Sequence, residues 1–377
     1  GCAAPAARDQ VQARATAQFR VTPSRHGYRD VSAPAAVELD WRLPGVNVGE
    51  HTAAKASAVP LPDGDVVVPG DSGVVRRVGP DGAVRWRAAT APSVRGIHGT
   101  PAVANGLVYV GAYEGSLYAF DLETGIRRWK ADLGDAIGSS PAYLDGVVYI
   151  AVEYFEPSGA VFGVDAATGD VVWEDHWPTD HPHSSPAVDE EAGTLVVGSN
   201  DGVLYAWEFP SMERAWRFET GDAIKGPVAT HGGAAFVGSW DRHVYRVDLE
   251  TGEADWAFEA EEEVMTGPGI DADAGTVYMG SHDDHLYALD AETGEADWSF
   301  ETGGWLLGCP TVTRDAVLVG SYDGYCYCVE KETGEQRWRA SGEGWVTSTP
   351  LVQDGAVYFT DRATDDRSGS LYKFSRA

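Results

Sequence analysis

The chain has 377 residues and carries 58 Asp and Glu against 28 Lys and Arg, a formal charge of −30 at pH 7. A surface this negative repels a phosphate backbone and excludes nucleic acid as a partner. Only Lys55, Lys130, Lys225, Lys331 and Lys373 are lysine, and with acid spread along the whole chain the composition reads as a halophile's surface, hydrated by carboxylates whose repulsion molar salt screens.

At the N-terminus Gly1-Cys2 precedes the small residues Ala3, Ala4, Pro5, Ala6 and Ala7, which looks like the end of a lipoprotein signal. Cys2 is therefore the expected lipidation site and residues 1–30, rich in Ala and polar residues, a flexible tether. No run of 18 apolar residues occurs, so membrane contact is expected only through that anchor.

From Val37 to Arg42 a single strand ends in Trp41, and behind it one pattern recurs to the end of the chain. Its closing tryptophans are Trp41, Trp86, Trp129, Trp173, Trp216, Trp256, Trp298 and Trp338, 40 to 45 residues apart. Each unit holds four short alternating runs bounded by turn residues. In the second unit they are Ala102 to Ala104 (A), Leu107 to Gly111 (B), Leu117 to Asp121 (C) and a run through Trp129 (D), with Asn105-Gly106 between A and B. That dipeptide supplies the positive φ angles of a two-residue hairpin. Each unit is thus a four-stranded blade, and a tryptophan at the end of strand D suits docking against the next blade. The last stretch, Ser348 to Phe374, supplies A, B and C without D, and Val37 to Arg42 supplies the missing D. The expectation is an all-β, eight-bladed β-propeller over residues 36–377, four antiparallel strands per blade, closed by the N-terminal strand. A closed ring has no edge demanding a mate, so a monomer is expected.

The recurring stretch Ala119, Asp121, Thr124, Gly125, Trp129, seen again as Ala288, Asp290, Thr293, Gly294, Trp298, resembles the repeat of the pyrroloquinoline-quinone (PQQ) propeller superfamily. That superfamily holds quinone-dependent dehydrogenases and non-catalytic lipoproteins such as component B of the outer-membrane β-barrel assembly machinery, so the resemblance fixes fold more firmly than function. The dehydrogenase branch implies PQQ with calcium, two adjacent cysteines and an Asn-containing metal shell. Here the cysteines are Cys2, Cys309, Cys326 and Cys328, and asparagine occurs only at 47, 105 and 200. The chain is therefore more similar to the assembly-type lipoprotein: no cofactor or metal, no catalytic residue, a protein partner, and an extracytoplasmic place at the cell surface. A PQQ-dependent dehydrogenase and a small-ligand sensor remain the alternatives.

Alternating strand direction brings the D-to-A and B-to-C connections to one side of the disc, where loops on a rigid ring tend to carry binding residues. The D-to-A connections offer Arg95, His98, His181, His183, Lys225, Met265, Trp305 and Trp345; the B-to-C turns offer Glu114, Trp240, Asp241, Arg242, His282 and Asp283. Two B-to-C connections are longer, around Glu153 and Tyr154 to Ser158 and around Arg362 to Ser368. His181 and His183 lack a third metal ligand of clear spacing, Gly70-Asp71-Ser72-Gly73 reads as a turn, and Cys326 and Cys328 take small apolar positions of the repeat.

Overall fold

The structure, a computed structural model, describes residues 14–48, 56–93, 95–364 and 367–377. Among these residues thirty-two strands form eight antiparallel sheets of four, and the innermost strands of successive sheets neighbour one another around a ring. The protein is an eight-bladed β-propeller. In the second blade the strands are Ala102–Ala104, Leu107–Gly111, Ser116–Asp121 and Arg127–Asp132, with φ of 53° at Asn105 and 71° at Gly106. The ring closes as the repeat arithmetic requires: Val37–Asn47 lies antiparallel to Gly369–Arg376 and completes the eighth blade.

The closing tryptophans dock blade on blade. The Asp-x-x-Thr-Gly turn holds its glycine at positive φ, with Asp121 accepting from the Thr124 amide at 2.9 Å and hydroxyl at 2.7 Å. The indole of the preceding blade lies against the turn glycine: Trp86 on Gly125, Trp129 on Gly169, Trp216 on Gly252 and Trp256 on Gly294, with Trp41 on Gly82 of a Gly-Pro-Asp-Gly turn and Trp298 on Gly334 of a Glu-x-x-Thr-Gly turn. A Cβ at these glycines would come within 2.6 to 3.0 Å of the ring. Most of these indoles also donate to a carbonyl of the next blade, such as Trp86 to Leu122 at 2.8 Å and Trp256 to Ala291 at 3.1 Å. Trp338 donates instead to Pro34, at the joint between the chain's two ends. Trp173 faces a blade whose turn is Phe209-Pro210-Ser211-Met212, and meets Trp207 edge-on at 5.9 Å.

The described part of the expected tether, residues 14–30, differs from the expectation. It runs round the inside of the ring and bonds to the inner strands of blade after blade: Thr16 to Val103 at 2.7 Å, Val188 to Pro23 at 3.0 Å, Thr230 to Ser24 at 2.9 Å, Ile270 to His26 at 2.8 Å and Val312 to Gly27 at 3.0 Å. The physical reason is that strand A has no neighbour on its axial side, and its unpaired amides and carbonyls seek partners. Phe19, Arg20 and Arg25 end up buried on the axis. Arg25 donates to the carbonyls of Pro186 (2.7 Å), Ser140 (2.8 Å) and Phe19 (3.1 Å), stitching two blades to the segment. Cys2 lies outside the described residues.

Candidate functional site

One structural device repeats at the D-to-A side of the disc. Strand B ends in a glycine because the apolar residue of the neighbouring D-to-A connection fills the space of its Cβ: Ile137 at Gly111, Ile224 at Gly198, Val264 at Gly238, Leu306 at Gly280 and Val346 at Gly320. Two residues past that glycine, the backbone amide donates to a D-to-A carbonyl: Tyr113 to Gly96, Asn200 to His181, Trp240 to Ala223, His282 to Glu263 and Tyr322 to Trp305, all at 2.9 to 3.0 Å. The two loop sets are thereby locked together, and residues at that position converge on the axis.

They line a funnel of about 380 Å³. Of the residues expected there, the structure brings together Arg95, His98, Glu153, His183, Lys225, Trp240, His282 and Trp305, with His181 and Met265. Tyr113, Asn200, Leu307 and Tyr322 complete the wall. Sequence reasoning missed them, although Tyr113, Asn200 and Tyr322 share the repeat position of Trp240 and His282, a signal that was present. Beneath the funnel, Phe19 of the N-terminal segment shares a small adjoining cavity with His98, His183, Lys225 and Cys309, so the funnel has a floor.

Other expected residues point elsewhere. Asp241 accepts from the Tyr245 hydroxyl and the Gly221 amide, both at 2.7 Å, and thus pins the B-to-C turn to strand C and to the preceding connection. Asp201, Asp283 and Asp323 do the same for Tyr205, Tyr287 and Tyr327 at 2.6 to 2.8 Å, and Glu114 takes the hydroxyl of Tyr118. These carboxylates are turn fasteners. Tyr154 donates to the Leu133 carbonyl at 3.0 Å, and Arg242, at φ 74°, sits on the rim within 3.4 Å of Glu259. Trp345 faces an outer groove of about 300 Å³ that shares Tyr322 with the funnel.

Charge and rings divide the funnel in two. On one side Glu153, 6% exposed, lies 2.8 Å from His183 Nδ1. Burial pushes its carboxyl up, but His183, His181 and Arg95 outweigh that and hold it below its ordinary value. Arg95 covers Tyr113 at 5.4 Å, and Lys225 Nζ sits 3.3 Å above Trp240, its pKa lowered by burial against a smaller opposing pull from Asp222 and Asp180. On the other side an aromatic arc runs from His282 to Trp305 (4.8 Å), Tyr322 (5.9 Å) and Trp345 (4.8 Å), capped by Arg362 at 5.0 Å. Trp305 and Trp345 are 52% and 41% exposed. Cys326 and Cys328 are buried in the seventh blade, where burial raises both thiols, Cys328 to about 12.

A PQQ-and-calcium site fits poorly. Among the described residues no three His, Cys, Asp or Glu side chains come together as a metal shell, and Glu153, the carboxylate in the funnel wall, is taken by His183. No adjacent cysteines exist to form a platform.

Eight equal blades, tryptophan docking and a funnel on the D-to-A side define a propeller of the PQQ-repeat class. Within it the chain belongs to the family described as outer membrane protein assembly factor BamB, which matches residues 71–187, 157–302, 261–326 and 302–377. The chain is 29% identical over 241 residues to the serine/threonine-protein kinase AfsK of Streptomyces coelicolor, covering 57% of this chain and 27% of that protein. It is 30% identical over 152 residues to the outer membrane protein assembly factor BamB of Salmonella typhimurium (38% and 36%) and 28% over 148 residues to the quinohemoprotein alcohol dehydrogenase of Comamonas testosteroni (33% and 20%). The matches thus span between 20% and 36% of these relatives' lengths. Among solved structures, the quinohemoprotein alcohol dehydrogenase ADHIIG of Pseudomonas putida HK5 gives a TM-score of 0.81 at 16% identity over 96% of this chain and 80% of that one. BamB of Moraxella catarrhalis gives 0.69 at 20% identity over 90% and 98%. At such identities the likeness establishes the fold.

Proposed function

We propose that this chain is a non-catalytic propeller scaffold, extracytoplasmic and lipid-anchored through Cys2 in a halophile, that binds a protein partner through the face carrying the D-to-A and B-to-C loops. The observation that carries the reading is the exposed arc of Trp305, Tyr322 and Trp345 with Arg362 at its end, rigidly mounted on the loop-locking device. Exposed tryptophans beside arginine are the residues on which protein interfaces concentrate their binding energy. Membership of the assembly-factor family supports a partner protein, and the poor fit for PQQ with calcium counts against the dehydrogenase alternative.

The test is site-directed photo-cross-linking from positions flanking Trp305 in the native envelope, followed by binding measurements with the isolated partner. Trp305→Ala and Trp345→Ala should each weaken that binding by about 30-fold, the effect of losing one interface anchor of ~2 kcal/mol. Undiminished binding in both variants would sink the reading. Because dehydrogenases are equally near in sequence and fold, a fluorescence titration with PQQ, with and without calcium, runs alongside. Saturable quenching with dye-linked turnover would favour the enzyme, and quenching without turnover a small-ligand sensor.

A further inference from the structure

Many of this chain's Lys and Arg side chains pair with carboxylates, as Arg77 does with Asp65 and Lys331 with Asp271, but among the described residues those in and under the funnel do not. Arg20 and Arg25 are buried side by side beneath the funnel with no described carboxylate on either: Arg25 donates to the carbonyls of Pro186, Ser140 and Phe19, and Arg20 to those of Arg25, Gly267 and His26 while also meeting the Cys309 thiol. Arg25 covers the Phe19 ring at 5.5 Å, so its charge stands directly behind the floor. Burial and the neighbouring Arg20 lower the Arg25 guanidinium to about 9, which leaves it cationic at neutral pH. Above the floor, Lys225 and Arg95 are held by aromatic faces and form no ion pair among the described residues. The Trp240 indole N–H also has no hydrogen-bond partner among the described residues. Against these stands one wall carboxylate, Glu153, engaged in a 2.8 Å hydrogen bond with His183. A cleft with low-dielectric walls focuses such a local charge even when the outer surface has the opposite sign.

We propose that the funnel is a carboxylate receptor, completed from below by the N-terminal segment, with Lys225 and Arg95 contacting the anion and Arg20 and Arg25 holding a positive field under it. This rests on the scaffold reading, under which the carboxylate belongs to an acidic side chain or chain terminus that the partner inserts. The geometry favours insertion: the funnel holds about 380 Å³, has Phe19 in the cavity that adjoins it, and includes Trp305 and Tyr322 of the aromatic arc that the partner would cover. Arg20 and Arg25 are positioning groups here. Their carbonyl bonds fix them, and the segment that carries them is the one that closes the axis.

The test is a tryptophan-fluorescence titration of the full chain at ~0.15 M salt, where charge still acts over about 8 Å. The probes are the peptide acetyl-Ala-Glu-Asp as free acid, its acetyl-Ala-Gln-Asn amide, and citrate. The acid peptide should bind saturably and the amide should not. Lys225→Met should weaken binding about tenfold, the loss of one charged contact, Lys225→Arg should restore most of it, and Arg95→Gln should act like Lys225→Met. These substitutions leave Phe19, Arg20 and Arg25 in place, and a melting curve unchanged from wild type shows that each variant is folded. Citrate binding without peptide binding would support the carboxylate site, assign it to a free organic acid and count against partner insertion. Failure of every carboxylate, or equal affinity in Lys225→Met, would overturn the inference. If the cross-linked partner still binds Lys225→Met as wild type but is lost in Trp305→Ala, the scaffold reading stands and the carboxylate receptor falls.

Discussion

Replacing Gly294 by alanine isolates the contact that holds neighbouring blades together. Gly294 has φ of 73°, and a Cβ there would lie 2.6 Å from Trp256 Cδ2 and 2.7 Å from Cε3. The left-handed backbone alone costs an L-residue about 1–2 kcal/mol. Forcing the indole out of its slot adds about 1–3 kcal/mol and stretches its 3.1 Å bond to the Ala291 carbonyl. Gly294→Ala should therefore destabilise by ~3 kcal/mol. In a Trp256→Ala background, itself costing about 3 kcal/mol, the obstruction is gone and only the backbone term of about 1–2 kcal/mol remains. The cycle, measured by urea unfolding at fixed salt, should give a coupling near 2 kcal/mol. An identical cost of Gly294→Ala in both backgrounds would refute the argument that the indole face makes this glycine obligatory.

Three further outcomes follow from the same structure. Because its charged partners hold the Glu153 carboxyl below its ordinary value, the pair stabilises the fold above the unfolded carboxyl's range and loses that stabilisation as pH falls through the folded value. Glu153→Gln should thus flatten the decline in melting temperature below pH ~5, and an unchanged acid limb would contradict the pairing. Tyr287→Phe should cost about 1 kcal/mol by removing the 2.8 Å bond to Asp283 that fastens the sixth blade's turn, with no effect on funnel ligands; a change in ligand affinity without a stability loss would reassign Asp283 to the site. With a formal charge of −30, the melting temperature should climb between ~0.1 and ~2 M salt as repulsion is screened; a flat profile would argue against a halophilic surface.

The sequence by itself determined the ring. Tryptophans 40 to 45 residues apart, paired with Asp-x-x-Thr-Gly turns, carry both halves of the blade-to-blade joint, so blade count, strand order and closure were legible from spacing alone. Local chemistry decides these features, since a glycine at positive φ and an Asp at the turn act within a few residues. The funnel was legible in part. His98, Lys225, Trp240 and Trp305, drawn from both sets of connections, line the funnel together, but periodicity could not separate Asp241, which fastens Tyr245, from Trp240 one residue earlier, which lines the funnel. Tertiary structure alone decided the fate of residues 14–30. Nothing in that polar stretch announces a partner, because its partners are the unpaired axial edges of inner strands, which exist only once the ring has closed. Those edges draw the segment inward, bury Arg20 and Arg25, and give the funnel its floor.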